Sequence, residues 1–126
     1  MRFDLKDPPR VYLVGKNIPI KDHGNLALAA DEQVTLTTES GAEYDVTRKD
    51  WGFYATPSLN GRLEQFGLRC VLIQNFNTKR YFVLLVERGH EASFEAYLAD
   101  ETLRIVHWLD TSEACALVDA KISGTS

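Results

Sequence analysis

Residues 48–62 form the part of the chain whose residue types and spacing best suit ligand binding. This segment combines three basic, three aromatic and several small hydrogen-bonding side chains. Aromatic faces suit sugars or bases, and an arginine can bind a phosphate or a carboxylate through two parallel hydrogen bonds. The side chains predicted to bind a ligand are Arg48, Trp51, Tyr54, Thr56, Ser58, Asn60 and Arg62.

A predicted helix start inside this segment supports the same interpretation. Threonine is a good N-cap and proline suits the first helical position, so Thr56-Pro57 predicts a helix that begins there. The free N–H groups at a helix start attract anions. We therefore expect Arg48, Arg62 and these N–H groups to converge on a small anionic ligand, such as a sugar phosphate or a nucleotide-type metabolite.

A partner protein is the other ligand that this surface fits. A packed turn with Trp51 and Phe53 in the core is the purely structural interpretation.

An enzyme without a short sequence signature is the first alternative function. The chain contains no Gly-x-Ser-x-Gly elbow, Walker loop, Gly-x-Gly-x-x-Gly or His-Glu-x-x-His motif. His23 in a predicted turn and His90 at a predicted helix start are the histidines that could act as a general base. Cys70 and His107 would suit a nucleophile and its base, but the predicted topology places their strands at opposite edges of one sheet. No catalytic residue, metal site or cofactor is therefore assigned.

An RNA-binding module is the second alternative. Residues 11–18 and 51–55 resemble the aromatic strand motifs of RNA-recognition modules. In that family a helix follows the first motif, whereas turns and strands are predicted here. The chain also has 14 Lys and Arg against 18 Asp and Glu, a formal charge of -4. Affinity for phosphate backbones comes mostly from clustered bases, so nucleic acid is not the expected partner.

The best local structural signal is a hairpin between residues 34 and 46. Apolar and polar residues alternate on both sides of a predicted loop at residues 39–41. A three-residue loop places Val34 opposite Val46 and Leu36 opposite Tyr44, so that apolar residues meet on one face. The loop also predicts a left-handed conformation for Gly41.

The elements from about Tyr44 onward are predicted in the order βαββαβ. The fold class expected is α+β, with antiparallel N-terminal strands followed by a ferredoxin-like βαββαβ arrangement and a short C-terminal helix. An open α+β sheet with another strand order and a small barrel with one crossing helix are the alternatives. Helices cover only one face of a ferredoxin-like sheet. The N-terminal strands are therefore expected to cover the second face, with a homodimer as the alternative.

Length and composition predict one domain over residues 1–126, with loosely ordered ends at residues 1–9 and 123–126. No apolar run approaches the ~20 residues that span a bilayer, and the N-terminal residues lack the apolar stretch of a secretory signal. We therefore expect a cytoplasmic protein with no membrane partner. Cys70 and Cys115 have no metal-ligand or redox-motif spacing and are expected to be reduced.

Overall fold

The computed structural model describes residues 1–55 and 57–124 and has an α+β fold with antiparallel sheets. The described strands form three separate sheets, ordered β1-β2, β3-β4-β5 and β7-β6-β8. The strands are β1 (Arg2–Val14), β2 (Ile18–Ala27), β3 (Gln33–Thr37), β4 (Glu43–Lys49), β5 (Gly52–Ala55), β6 (Leu68–Asn75), β7 (Tyr81–Glu87) and β8 (Leu103–Trp108). The helices are α1 (Arg62–Gln65), α2 (Glu91–Asp100) and α3 (Ser112–Ile122).

Strands β1 and β2 form a long hairpin, which we call the arm. Residues 2–9, expected to be loosely ordered, instead belong to β1, because β2 is long enough to pair with its start. The register shifts between Leu5 and Arg10, and Pro8 and Pro9 lie in that irregular segment. Proline has no N–H to donate, so it is tolerated where the ladder is interrupted.

The second sheet contains the hairpin predicted from the alternation of apolar residues. Val34 lies opposite Val46 and Leu36 lies opposite Tyr44, as predicted. Gly41 has a φ of +100°, which confirms its predicted left-handed position. The local pattern was sufficient to predict the register of this hairpin, because a one-residue slip would move every apolar side chain to the other face.

The predicted ferredoxin-like arrangement is wrong. Strand β5 pairs with β4 in the second sheet and is absent from the sheet of β6, β7 and β8. A two-residue turn joins β4 to β5, so β5 pairs with its immediate neighbour. Helix α1 has only four residues, a length of about 6 Å, which is too short to cover a sheet as the predicted crossover helix would. The β6-β7-α2-β8 part is nevertheless a split βαβ unit with β6 in the middle.

Both faces of the third sheet carry buried residues. One face packs against α2 and forms a cluster of Val71, Ile73, Val86, Phe94 and Leu98. The other face forms a cluster of Ala42, Leu63, Leu68 and Cys70, with Tyr44 and Leu85 packed against it. Ala42 just before β4 and Tyr44 in β4 thus help to cover the second face, which the N-terminal strands were expected to cover, and Leu63 of α1 covers it with them.

Candidate functional site

The β4–β5 hairpin presents three large aromatic side chains to solvent. Trp51 in the turn is 70% exposed, and Phe53 and Tyr54 in β5 are 66% and 50% exposed. The interpretation of Trp51 and Phe53 as core residues is therefore wrong. Successive side chains of a strand point to opposite faces, so Tyr54 lies on the other face of the hairpin from Arg48 and Phe53. We call Arg48, Trp51 and Phe53 the aromatic surface. Gly52 has a φ of +146°, a conformation that L side chains rarely adopt, so the hairpin needs glycine beside the exposed Trp51.

Arg48 lies against a ring of the same hairpin. It is opposite Phe53 in the ladder, and its guanidinium carbon lies 6.0 Å from the centroid of that ring. The guanidinium also donates a hydrogen bond to the carbonyl oxygen of Lys49. A cation over an aromatic face contributes about 0.5–1 kcal/mol at an exposed site. Arg48 therefore belongs to the aromatic surface.

The predicted helix start is replaced by a turn followed by a single helical turn. Helix α1 begins at Arg62, so the prediction of a helix from Thr56-Pro57 is wrong. The Ser58 hydroxyl accepts a hydrogen bond from the Arg62 N–H at 3.0 Å, and the Ser58 carbonyl accepts one from the Leu63 N–H at 3.0 Å. These N–H groups already have partners, so they are not free to bind an anion.

The seven predicted ligand residues divide into groups with different surroundings. Thr56 lies outside the described residues. The Asn60 side chain donates to the Ser112 hydroxyl at 3.2 Å and so connects the turn to α3. The Arg62 guanidinium lies 5.3 Å from the centroid of the Phe66 ring. The Arg48 guanidinium thus lies beside the Phe53 ring and the Arg62 guanidinium beside the Phe66 ring. No contact between described residues joins the two arginines.

Four grooves in the described part of the chain lie elsewhere. One of them, of about 690 Å³, lies between the end of the arm and α2, where Lys16 and Ile18 face Ala96 and Tyr97. Three others have volumes of about 240 to 410 Å³. None of these four grooves is lined by a predicted ligand residue. The exposed rings of the aromatic surface thus lie outside these four grooves.

The histidines and cysteines show no arrangement typical of catalysis. His23 lies within strand β2 rather than in a turn, and His90 lies 3.8 Å from a Glu87 carboxylate oxygen. Cys70 and His107 lie on neighbouring strands, because β8 pairs directly with β6, so their predicted separation to opposite sheet edges is wrong. Nevertheless the Nε2 atom of His107 lies 3.0 Å from the Ala114 carbonyl oxygen, and burial raises the pKa of the Cys70 thiol.

Sequence reasoning missed a charged cluster centred on Arg69. The Arg69 guanidinium lies 2.6 Å from Asp110 and 3.3 Å from Glu91, and its carbon lies 4.0 Å from the centroid of the Trp108 ring. The hydrogen bond to Asp110 is the main cause that raises the pKa of Arg69. The sequence feature that could have revealed it is an arginine inside the otherwise apolar run of residues 68–73 in β6. Both carboxylates of the cluster are thus paired with the Arg69 guanidinium.

Comparisons with protein-family models, curated proteins and solved structures found no match. Among the described residues, no helix is long and apolar enough to cross a membrane. Within residues 1–55 and 57–124, no three His, Cys, Asp or Glu side chains lie close enough together to hold a metal ion.

Proposed function

We propose that this protein is a small cytoplasmic accessory protein that binds another protein through the aromatic surface. The exposure of Trp51 and Phe53 on one short hairpin carries the proposal. Aromatic residues and arginine are enriched among the residues that dominate binding energy at protein interfaces. Large aromatic side chains such as Trp51 and Phe53 are exposed to water at a cost in free energy, and a partner that covers them removes that cost.

A surface of exposed rings fits a protein partner better than a small metabolite. Small-molecule sites are concave and bury most of the ligand, whereas Trp51 lies in the turn of the β4–β5 hairpin and is 70% exposed. A hairpin of this shape can insert into a groove of a partner protein. Arg48 beside Phe53 would supply a charged hydrogen-bond donor at the edge of the contact.

The experiment compares capture by the wild-type chain with capture by a variant of the aromatic surface. The tagged full chain would be expressed in its source cells, and each captured protein purified and titrated against it. Trp51→Ala with Phe53→Ala should weaken binding by at least about 30-fold, since a strong interface residue contributes 2 kcal/mol or more. The control is Phe76→Ala, which removes another half-exposed aromatic ring.

Unchanged affinity of the double variant for every purified partner would contradict the proposal. Equal weakening by Phe76→Ala would show that the aromatic surface has no special role. Because Trp51 and Phe53 are mostly exposed, both variants should fold, and their thermal unfolding curves would confirm this.

A small anion is the second candidate ligand. Within the described residues, neither Arg48 nor Arg62 forms an ion pair with a carboxylate, so both guanidinium groups keep capacity for an anion. Sugar phosphates and nucleotides would be screened for a raised melting temperature, since ligand at ~100 times its Kd adds about 2.7 kcal/mol. Arg62→Ala should weaken such binding roughly tenfold. If no anion raises the melting temperature, this candidate fails.

A further inference from the structure

The outer edge of strand β7 is unpaired. In the described part of the chain β7 pairs with β6 alone, so the outward N–H and C=O groups of β7 have no neighbouring strand. The first three side chains of β7, Tyr81, Phe82 and Val83, are 57%, 46% and 60% exposed. A long apolar edge strand with free backbone groups is a template for pairing with another strand.

Several other edge strands have features that hinder such pairing, and β7 has none of them. Strand β1 contains Pro8 and Pro9 at a register shift, and β2 contains Pro19. Strand β5 has only four residues, and the pairing of β8 with β6 is interrupted by a register shift. Prolines, short strands and bulges are the usual protections of an edge. Residues 81–86 of β7 contain no proline and no charge.

We propose that two copies of this chain form a homodimer in which their β7 strands pair antiparallel about a twofold axis at Val83. The axis would be normal to the sheet, so α2 would lie on the same side in both copies. Residues that lie opposite each other must then point to the same face, and their positions must differ by an even number. The two three-stranded sheets would become one continuous six-stranded sheet.

Side-chain character along β7 favours this register and a second copy as the occupant. With the axis at Val83, residues 81–85 of the two copies lie opposite each other, and these residues carry no charge. The apolar residues Tyr81 and Phe82 then lie opposite Leu85 and Leu84. With the axis at Leu84, Arg80 would lie opposite Arg88, and like charges directly across a ladder are destabilising. The strand is thus complementary to itself in one register.

The arm adds apolar area beside this edge. Val14 and Ile18 line a cavity of about 240 Å³ together with Phe82 and Leu84, so the end of the arm lies beside β7. Tyr12 and Val14 are each 40% exposed. A half-exposed aromatic side chain offers roughly 100 Å² for burial, and a standard interface buries ~800 Å² on each partner. Tyr81, Phe82 and Val83 of β7 and the end of the arm are the side chains that would supply this area.

The test uses the prediction that Val83 of one copy lies opposite Val83 of the second copy across the axis. The wild type should have twice the chain mass of 14.2 kDa by light scattering. Val83→Lys and Val83→Glu should each be monomeric, because like charges would face each other at the axis. An equimolar mixture of the two variants should restore the dimer mass. Leu36→Lys is the control, because Leu36 is a similarly exposed apolar residue in the middle of β3.

A wild-type chain that stays at 14.2 kDa throughout the micromolar range would overturn the proposal. A dimer that survives Val83→Lys, or that is lost only with Leu36→Lys, would place the interface elsewhere. If the Val83 variants fail to fold, hydrogen exchange of the wild type decides. The outward amides of β7 should become protected as protein concentration rises, and those of β5 should not. The aromatic surface lies on another sheet, so failure of this proposal leaves the proposed function untouched.

Discussion

The Arg69 side chain shows how one buried charge depends on its neighbours. Asp110 has only 10% of its side chain exposed and lies 2.6 Å from the Arg69 guanidinium. Arg69→Met would leave that carboxylate buried without its partner, and loss of one partner of a buried pair costs about 3 kcal/mol or more. We expect the free energy of unfolding to fall by about that amount, measured by urea denaturation.

A matched control for this substitution is Arg88→Met. Arg88 pairs with Glu64 at 3.0 Å, but both side chains are about half exposed. An exposed ion pair contributes little, so the free energy of unfolding should change by less than about 0.5 kcal/mol. Similar losses for both arginine variants would show that the Arg69 cluster does not stabilise the fold as inferred.

Asp22 gives the arm a pH-dependent contact. The hydrogen bond from Lys6, at 2.6 Å, and that from the Gly24 N–H lower the pKa of Asp22 from its usual 3.8. Because the pKa is lowered on folding, the contribution of Asp22 is complete above the unfolded pKa. It is lost as pH falls through the lower folded pKa.

Asp22→Asn should therefore make the arm amides exchange severalfold faster than in the wild type at neutral pH. The ratio of the two exchange rates, measured by NMR at each pH, should approach one below the folded pKa of Asp22. A ratio that stays constant down to that pH would show that the ionised carboxylate does not hold the arm.

At the scale of elements, the sequence predicted those features that depend on a local pattern of residues. The β3–β4 hairpin was predicted correctly because alternation and a short loop are local features. The partner of β5 was not, because the order of elements does not say which strands pair. The exposure of Trp51 and Phe53 was equally out of reach, since apolar character does not reveal whether the chain supplies a covering surface.

The turn of the β3–β4 hairpin allows a clean measurement of backbone strain. Gly41 has a φ of +100°, and a Cβ built there would meet nothing within 4 Å. Gly41→Ala should therefore lower the free energy of unfolding through conformation alone, by about 1 kcal/mol or more. Urea denaturation would measure it, with Glu39→Ala in the same exposed loop as the control. No loss of stability would mean that the turn changes conformation easily.

At the scale of the whole molecule, the arm is held mainly at its ends. The Lys16 N–H donates to a Glu101 carboxylate oxygen at 2.9 Å, and the N-terminal amine lies 3.0 Å from Glu32. Most arm side chains between these points are exposed. A region with few buried contacts opens locally at lower free energy than the core.

Glu101→Ala should therefore accelerate hydrogen exchange in the arm severalfold without changing that of β6. Native-state exchange followed by mass spectrometry or NMR would measure both regions in one sample. Equal acceleration in β6 would show that the arm and the third sheet unfold as one unit.

The central position of β6 also affects the protein while it is being synthesised. Its neighbour β7 follows almost at once, but β8 ends at Trp108, more than thirty residues after β6. At a translation rate of roughly 5–20 residues per second, β6 has one open edge for about 2–7 seconds. The buried stripe of Val71 and Ile73 stays uncovered until α2 emerges. The nascent chain thus exposes this edge to chaperones and to misfolding until β8 leaves the ribosome.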